Sequence, residues 1–483
     1  MTKIERNVQS QPKMGRGYLV AEIRIRKLFG RYTYRISPLT TELAKRGGPP
    51  LMLLYGDNGS GKTTIMQLLW DMFSPSQQRG HRSRIAHTPF LAMTVLLGNG
   101  DLINVQKGED LVGGYTITVS DSKGKLLIRQ PYVYDDVRGN VQSVKGGDPE
   151  PRKTQSPLAH FGVEVAGEEL EIFERYGEVS GLPFEDQTDY FVEYLGRIGT
   201  TPYLLADDRQ MYSDDKEVFE RTPRRVREEA QASSKVALEL RGAIRRTNDW
   251  LRQQLFSGSQ AGSQNAEQIY REVLTHLASA GSAGSSNHSF EEVRTSIIGL
   301  EERTKRFSEF GLVPPISARR FLDLMDEVPK TRRDLVANVL SPYIEGQNAR
   351  LDSLQNTERL VRVFTDSINS FLSDKEVRFS PSHGLRIWTL EKKPVNLEPV
   401  QLSSGERQLL LLFCNALLAR ETTGLFLIDE PELSLNVKWQ RQLVDALLNI
   451  VQEANVQFIL ATHSIEIVAR HRPYLAMVRE EQE

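Results

Sequence analysis

One cysteine, Cys414, stands among 483 residues. A lone thiol excludes an internal disulfide framework, and it excludes any zinc hook or ribbon that takes two or more thiolates from one chain. It suits a reducing compartment, so the expected location is cytoplasmic. Charge of one sign is also missing: 61 Lys plus Arg stand against 63 Asp plus Glu, a formal charge of −2. Net charge therefore gives no sign of a strongly basic nucleic-acid binder and leaves only local patches. Long hydrophobic runs are absent. The most apolar stretch, Leu409 to Ala419, is interrupted by Asn415 and is far shorter than the ~20 residues of a membrane span. The opening MTKIERNVQSQPKMGRGY has no apolar signal core, so a soluble chain without a membrane partner is expected. No internal repeat is visible. What is present is length, which at about 150 residues per domain suggests three domains or one large domain with an insertion.

The texture changes along the chain. Tyr18 to Phe29 alternates apolar and polar residues like a strand, and Tyr32 to Ile36 continues it. Pro49 to Gly56 is a short apolar run, read as a buried strand ending in a glycine-rich turn, and Thr63 to Phe73 has helical spacing. Phe90 to Gly108 carries a Gly-Asn-Gly turn between two alternating runs, a hairpin pattern, and further strand-like runs follow, including Leu158 to Gly167. Arg138 to Pro157, rich in Gly, Pro and Lys, reads as a loop. From about Asp215 the pattern turns helical. Gly/Ser-rich breaks at Gly258 to Asn265 and Ser279 to Ser289 separate the helices, and a longer helix is expected over Glu345 to Ser373. Its Leu351, Leu354, Val361, Phe364, Ile368 and Phe371 recur at helical steps and form one apolar face.

Gly56-Asp57-Asn58-Gly59-Ser60-Gly61-Lys62-Thr63, with Thr64 after it, matches the P-loop pattern between an apolar strand and a helix. Small residues let consecutive backbone N–H groups close around a phosphate at a helix N-terminus. Lys62 then supplies a point charge to the β- and γ-phosphates, and the Thr63 hydroxyl is a Mg²⁺ ligand. Leu425 to Ile428 run apolar into Asp429 and Glu430. A buried parallel strand delivers such side chains at its C-terminal end, where ligands sit in doubly wound sheets. Asp429 would orient Mg²⁺ and Glu430 would polarise an attacking water.

Leu402 to Glu406 (LSSGE) precedes a helix; Asp429 to Glu432 (DEPE), Leu433 to Asn436 and Ala461 to Ser464 (ATHS) follow in that order. Together with the P-loop these segments resemble the ABC-type ATPases, as signature, Walker B with its catalytic Glu, D-loop and switch His. The resemblance implies ATP and Mg²⁺ as ligands, held by Gly56 through Thr64, with Thr63 and Asp429 on the metal. It makes Lys62, Glu430 and His463 catalytic, with His463 touching the γ-phosphate. It also implies that Ser403, Ser404, Gly405 and Glu406 engage the nucleotide on a second subunit's P-loop, in a head-to-tail homodimer with two sandwiched ATPs. Ser403 and Gly405 open a helix, whose N-terminus suits a γ-phosphate. In the same family an aromatic near the first strand stacks on adenine, for which Tyr32 and Phe29 are the candidates, and Arg209-Gln210 is the candidate Q-loop.

Lys62 and Ser403 lie 341 residues apart, much farther than in transporter nucleotide domains. That arrangement is similar to SMC-type, recombination-repair and overcoming-lysogenization-defect (OLD) ATPases. The runs IRIRKLFGRYTYRI and PELSLNVKWQRQL look closest to ATPases of bacterial anti-phage systems, and the size most resembles the ATPase subunits of PARIS, with those of Septu next. The expected fold is α/β: an ABC-type P-loop head of mixed and parallel sheet with flanking helices, carrying an inserted short coiled-coil-like helical domain. The expected divisions are a tail at 1–17, an N-terminal lobe at 18–210, the insertion at 211–375 and a C-terminal lobe at 376–483. Arg224 to Phe256 would be a stub of about 50 Å as one helix. That stretch carries eight bases against four acids up to Arg252. It reads either as a contact for DNA or an acidic, DNA-mimicking trigger protein, or as a solvated face laced with ion pairs; the second is the simpler. Two functions compete: a nucleotide switch governing a separate effector, and a repair or chromosome-organisation ATPase that binds DNA itself. Twenty residues follow His463, so a nuclease of the TOPRIM kind is expected on a separate partner. Higher homo-oligomers are also expected.

Overall fold

The computed structural model describes residues 19–38, 50–76, 79–135, 140–143, 189–199, 201–206, 211–213, 236–256, 289–422 and 424–478. The chain forms two compact units, Met1–Val226 with Ala419–Glu483, and Arg227–Leu418.

The first unit holds two sheets. Strands β1 (Val20–Leu28), β2 (Tyr32–Ile36), β4 (Ala92–Leu97), β5 (Leu102–Lys107), β6 (Tyr115–Ser120), β7 (Leu126–Asp135) and β8 (Asn140–Ser143) make an antiparallel sheet in the order β2-β1-β4-β5-β6-β7-β8. Alternation sets its buried face: Ile23, Ile25, Val95, Ile103, Val105, Ile117 and Val119 are all inside. β8 falls where a loop was expected. The free edge of β7 offers a ladder that Asn140 to Ser143 complete, and the Ser83 hydroxyl accepts the Val141 N–H.

The second sheet orders β10 (Met211–Ser213), β9 (Pro202–Leu205), β14 (Leu425–Asp429), β15 (Gln457–Thr462), β3 (Leu51–Tyr55) and β16 (Leu475–Met477). All neighbours are parallel except β10 with β9. The centres of β9, β14, β15 and β3 are apolar runs buried on both faces. Helix α1 (Lys62–Phe73) packs on β9, β14 and β15 and buries Ile65, Met66, Leu68, Leu69, Met72 and Phe73. Helix α2 (His81–His87) lies beside it. The buried Arg82 guanidinium donates to the Asp71 and Ser74 carbonyls and so caps the end of α1. Helix α3 (Tyr190–Ile198) starts at Asp189, whose side chain accepts the Val192 N–H.

The other unit is mainly helical. It contains a helical segment at 236–256, α4 (Phe290–Ser308), α5 (Ala318–Asp326) and α6 (Arg333–Asn369). It also contains a three-stranded antiparallel sheet, β11 (Lys375–Ser380), β12 (Gly384–Thr389) and β13 (Asn396–Leu397), and most of α7 (Ser404–Thr422). Ser289 ends the second Gly/Ser-rich break and starts α4 through a reciprocal capping box with Glu292. Leu300 and Phe307 of α4 pack with Leu351 and Leu354 of α6. The long helix begins at Arg333, twelve residues before its expected start, and passes through Pro342. The added turns are held by packing: Ala337, Pro342 and Ile344 are buried, and Ala337 and Ile344 share a core with Phe290, Val293 and Ile297 of α4. The lone Cys414 is fully inside on α7, and burial pushes its thiol up to about 12, so it is an inert core residue. No described helix is long and apolar enough to cross a membrane. The tail, the Leu158 to Gly167 strand, the first Gly/Ser break and Arg209-Gln210 lie outside the described residues.

Within the first unit the two sheets share one core, and an amide hydrogen-bonds across from one to the other. Val20 N–H donates to Gln457 Oε1 at 2.7 Å and Gln457 Nε2 donates to Val20 O at 2.8 Å, all of it buried. Gln457→Leu would leave two backbone groups buried without partners, at roughly 1–3 kcal/mol each. The urea midpoint of unfolding is expected to fall accordingly; an unchanged midpoint would refute the tie.

Candidate nucleotide site

β3 ends at Tyr55 and α1 begins at Lys62, leaving Gly56 to Gly61 as the connecting turn. Gly59 and Gly61 have φ of 81° and 85°, the left-handed region that glycine enters without penalty. A Cβ on Gly61 would stand 2.9 Å from Leu28 Cδ2 and 3.3 Å from Phe29 Cε2, so the β1 turn presses against the loop. Ser60 N–H donates to Asp57 O at 3.2 Å, and Asn58 and Gly59 are exposed at the tip. Lys62 is 5% exposed, and its ammonium donates to Gly56 O at 2.9 Å and Asp57 O at 2.8 Å. Burial lowers its pKa, while the fields of Asp429, Glu430, Asp57 and Glu432 oppose that shift. Thr63 and Thr64 are half-buried on the first turn of α1.

The carboxylates arrive by register. Asp429 pairs with Ala461, Ala461 with Leu54, and Thr462 with Tyr55, so β14, β15 and β3 end along one edge. Asp429 is 3% exposed there. Glu430, one residue on, has φ of 47°, and its N–H donates to Ala461 O at 2.8 Å. A left-handed glutamate is strained and turns the chain sharply off the sheet edge. His463 follows β15, and its Nε2 lies 3.8 Å from Glu430 Oε1, each side chain about one-third exposed. The structure therefore brings Lys62, Asp429, Glu430 and His463 together.

Two residues that the sequence reading did not single out complete this edge. Glu432 Oε1 accepts the N–H groups of His463 at 2.6 Å and Ser464 at 3.1 Å. Gln440 accepts the Ser464 hydroxyl at 2.7 Å and donates to Leu435 O at 2.9 Å. The second glutamate of DEPE was the available signal for Glu432; nothing local marked Gln440. Asn436 caps α8 (Val437–Ile450), accepting the Trp439 N–H at 2.9 Å. Of the two ring candidates, Tyr32 is stacked on Tyr34 under the Arg31 guanidinium, and Phe29 is the ring beside Gly61.

The signature lies in the other unit, Arg227–Leu418. Ser403 and Ser404 are exposed and Gly405 and Glu406 buried. Ser403 N–H donates to Glu406 Oε2 at 2.8 Å, and Glu406 N–H donates to Ser403 Oγ at 3.3 Å. That is a capping box opening α7. Glu406 also receives the Lys375 ammonium at 3.0 Å, so its carboxylate is occupied in building the helix start.

The P-loop residues suit a phosphate chain. Ser60 Oγ is buried with no hydrogen-bond partner and lies 3.2 Å from where a Gly56 Cβ would stand, inside the turn. Thr63 and Asp429 would hold Mg²⁺, which commonly takes one or two protein oxygens and completes its shell with phosphate and water.

The fold is α/β, of the kind of an ABC-type P-loop head. Residues 279–469 match the family model described as "AAA domain, putative AbiEii toxin, Type IV TA system". The chain is 31% identical over 149 residues to the "Retron Vc95 probable ATPase" of Vibrio cholerae, a match covering 27% of this chain and 28% of that one. It is 34% identical over 142 residues to a "Putative ABC transporter ATP-binding protein" of Pyrococcus abyssi, covering 26% of this chain and 53% of that one. The matches thus span between about a quarter and a half of these relatives' lengths. Among solved structures, the Smc head domain with an extended coiled coil from Pyrococcus furiosus, bound to the C-terminal domain of ScpA, aligns over 96% of both chains. Its identity is 13% and its TM-score 0.36.

Gly61→Ala combines left-handed strain of about 1–2 kcal/mol with the close approach of Leu28. Binding of a fluorescent ATP analogue is expected to weaken by about tenfold or more. Wild-type affinity would contradict the role given to this turn.

Proposed function

We propose that this chain is a Mg²⁺-dependent ATPase whose nucleotide-driven dimerisation is a switch in an anti-phage defence system, governing a separate effector. The observation that carries the reading is the meeting of Glu430 and His463 at 3.8 Å on the edge where Lys62 and Asp429 end. Glu430 would draw the proton of an attacking water, and His463, facing it, would hold that water's other side or the γ-phosphate. Lys62 and the loop N–H groups would bind and orient the phosphates, and Mg²⁺, when bound, supplies neutralising charge. The signature start, Ser403 to Gly405, would close over the nucleotide of a second copy. Glu406 serves that closure by fixing the helix start.

Support for the defence role comes from the retron ATPase relative and from the resemblance to anti-phage ATPases; within that group we place the chain with the PARIS ATPase subunits, Septu ATPases being next. In the described part of the basic segment Arg241 faces Glu398 at 3.5 Å, an ion pair that favours the solvated-face reading over direct DNA contact.

Glu430→Gln is expected to keep ATP binding, lose hydrolysis and accumulate an ATP-bound dimer, measured by filter binding, phosphate release and mass photometry. Hydrolysis at the wild-type rate would remove Glu430 as the base. Ser403→Arg should bind ATP yet not turn over, because a bulky cation would block the partner's γ-phosphate. Mixed with Lys62→Ala, it should recover at most one composite site per heterodimer. Full turnover by Ser403→Arg alone would contradict the sandwich.

A further inference from the structure

We propose that Glu432 is a positioning residue for the Glu430–His463 pair, and that Gln440 joins the same tie to the D-loop. The proposal rests on the ATPase reading above.

After Glu430 the chain reverses in two short turns. Leu433 N–H donates to Glu430 O at 3.1 Å and Leu435 N–H to Glu432 O at 2.9 Å. This folds residue 432 back toward the end of β15, thirty-one positions away in sequence from His463. The β15 ladder with β3 ends at Thr462, so the next N–H groups need partners elsewhere. One oxygen of Glu432 takes both, at 2.6 Å from His463 N and 3.1 Å from Ser464 N, the second shared with Thr462 Oγ1 at 3.0 Å. A carboxylate accepting two backbone N–H groups makes charge-assisted bonds, stronger than neutral ones. They fix the backbone from which the His463 ring reaches Glu430.

A second tie lies alongside. The Ser464 hydroxyl donates to Gln440 Oε1 at 2.7 Å and accepts the Ile467 N–H at 3.2 Å, which starts α9 (Ile465–Arg470). The Gln440 amide donates to Leu435 O at 2.9 Å, in the D-loop. Residues 463–464 are therefore fastened to both ends of the segment running from Glu432 to Gln440. Ser434 sits between them, exposed and at φ of 65°. A displacement of that loop has a direct mechanical route to residues 463–464, through the two half-buried side chains of Glu432 and Gln440. Glu432 makes no hydrogen bond to the P-loop among the described residues, and its field on Lys62 is the smallest of the four acids', so its removal should change turnover far more than nucleotide affinity.

The test uses the full chain and three variants, Glu432→Ala, Glu432→Gln and Gln440→Leu. Three quantities are read: kcat for ATP, Kd for a fluorescent ATP analogue, and hydrogen–deuterium exchange of the His463 and Ser464 amides. Glu432→Ala is expected to lower kcat by about 10²-fold, the scale of a small misplacement of reacting groups, with Kd changed by less than about threefold. The His463 amide should exchange faster, while Ser464 N–H keeps Thr462 Oγ1 as acceptor and should change less. Glu432→Gln keeps an oxygen that accepts the same N–H groups and should recover most of the lost kcat. Gln440→Leu should lower kcat with Glu432's bonds, and hence His463 protection, retained. Wild-type kcat in Glu432→Ala, or equal losses in kcat and affinity, overturns the proposal. If the wild-type chain hydrolyses no ATP, the ATPase reading fails instead. Amide exchange then decides the tie alone: faster exchange in Glu432→Ala upholds it and unchanged exchange overturns it.

Discussion

The register of three parallel strands is the constraint on which the site depends. β15 lies between β3 and β14, and its pairing places Asp429, Ala461 and Leu54 in one row with Thr462 beside Tyr55. A slip of one residue would turn Phe426, Ile428, Phe458 and Leu460 to the opposite faces of a sheet whose both sides are apolar. Close packing specific to each face therefore fixes the alignment, and alignment fixes where the P-loop, Glu430 and His463 leave the sheet. Ligand chemistry at the C-terminal edge follows from this geometry rather than from any single residue.

The same edge concentrates the departures from relaxed geometry. Glu430 and Ser434 hold left-handed backbone, and Phe29 does so in the β1 turn whose Leu28 and Phe29 side chains press on Gly61. Lys62 is buried among four acids whose fields resist its desolvation. Strain and buried charge persist where the surroundings over-determine them. Here the surroundings are the shared core beneath both sheets, the Gln457 clamp and the Glu432 tie. The signature belongs to a different compact unit, so its helix start is built independently, by a capping box and Lys375.

Much of this was legible in the residues, and the reason is locality. β3, β14 and β15 read as short bounded apolar runs because both faces of that sheet are covered. The P-loop and the Asp429–Glu430 pair read directly from contiguous residues at the strand ends. The LSSGE run ahead of a helix was also visible, but the structure shows what the sequence reading did not, that Ser403 and Glu406 cap that helix. What escaped was long-range. The first turns of the long helix, from Arg333, lay before the apolar face read from Leu351 onward, and Ala337 and Ile344 there are buried in a core shared with α4. β8 depends on an edge supplied by β7, and Glu432 and Gln440 acquire meaning from partners more than twenty residues away. Local pattern carries the elements; their ties are tertiary.

The central claim is that the working site is shared by two chains. Turnover per chain, measured as the protein is diluted through the range where mass photometry reports dimer giving way to monomer, tests it most directly. A shared site predicts that turnover per chain falls with dilution in step with the dimer fraction. Turnover per chain that stays constant in a population measured as monomer would contradict it.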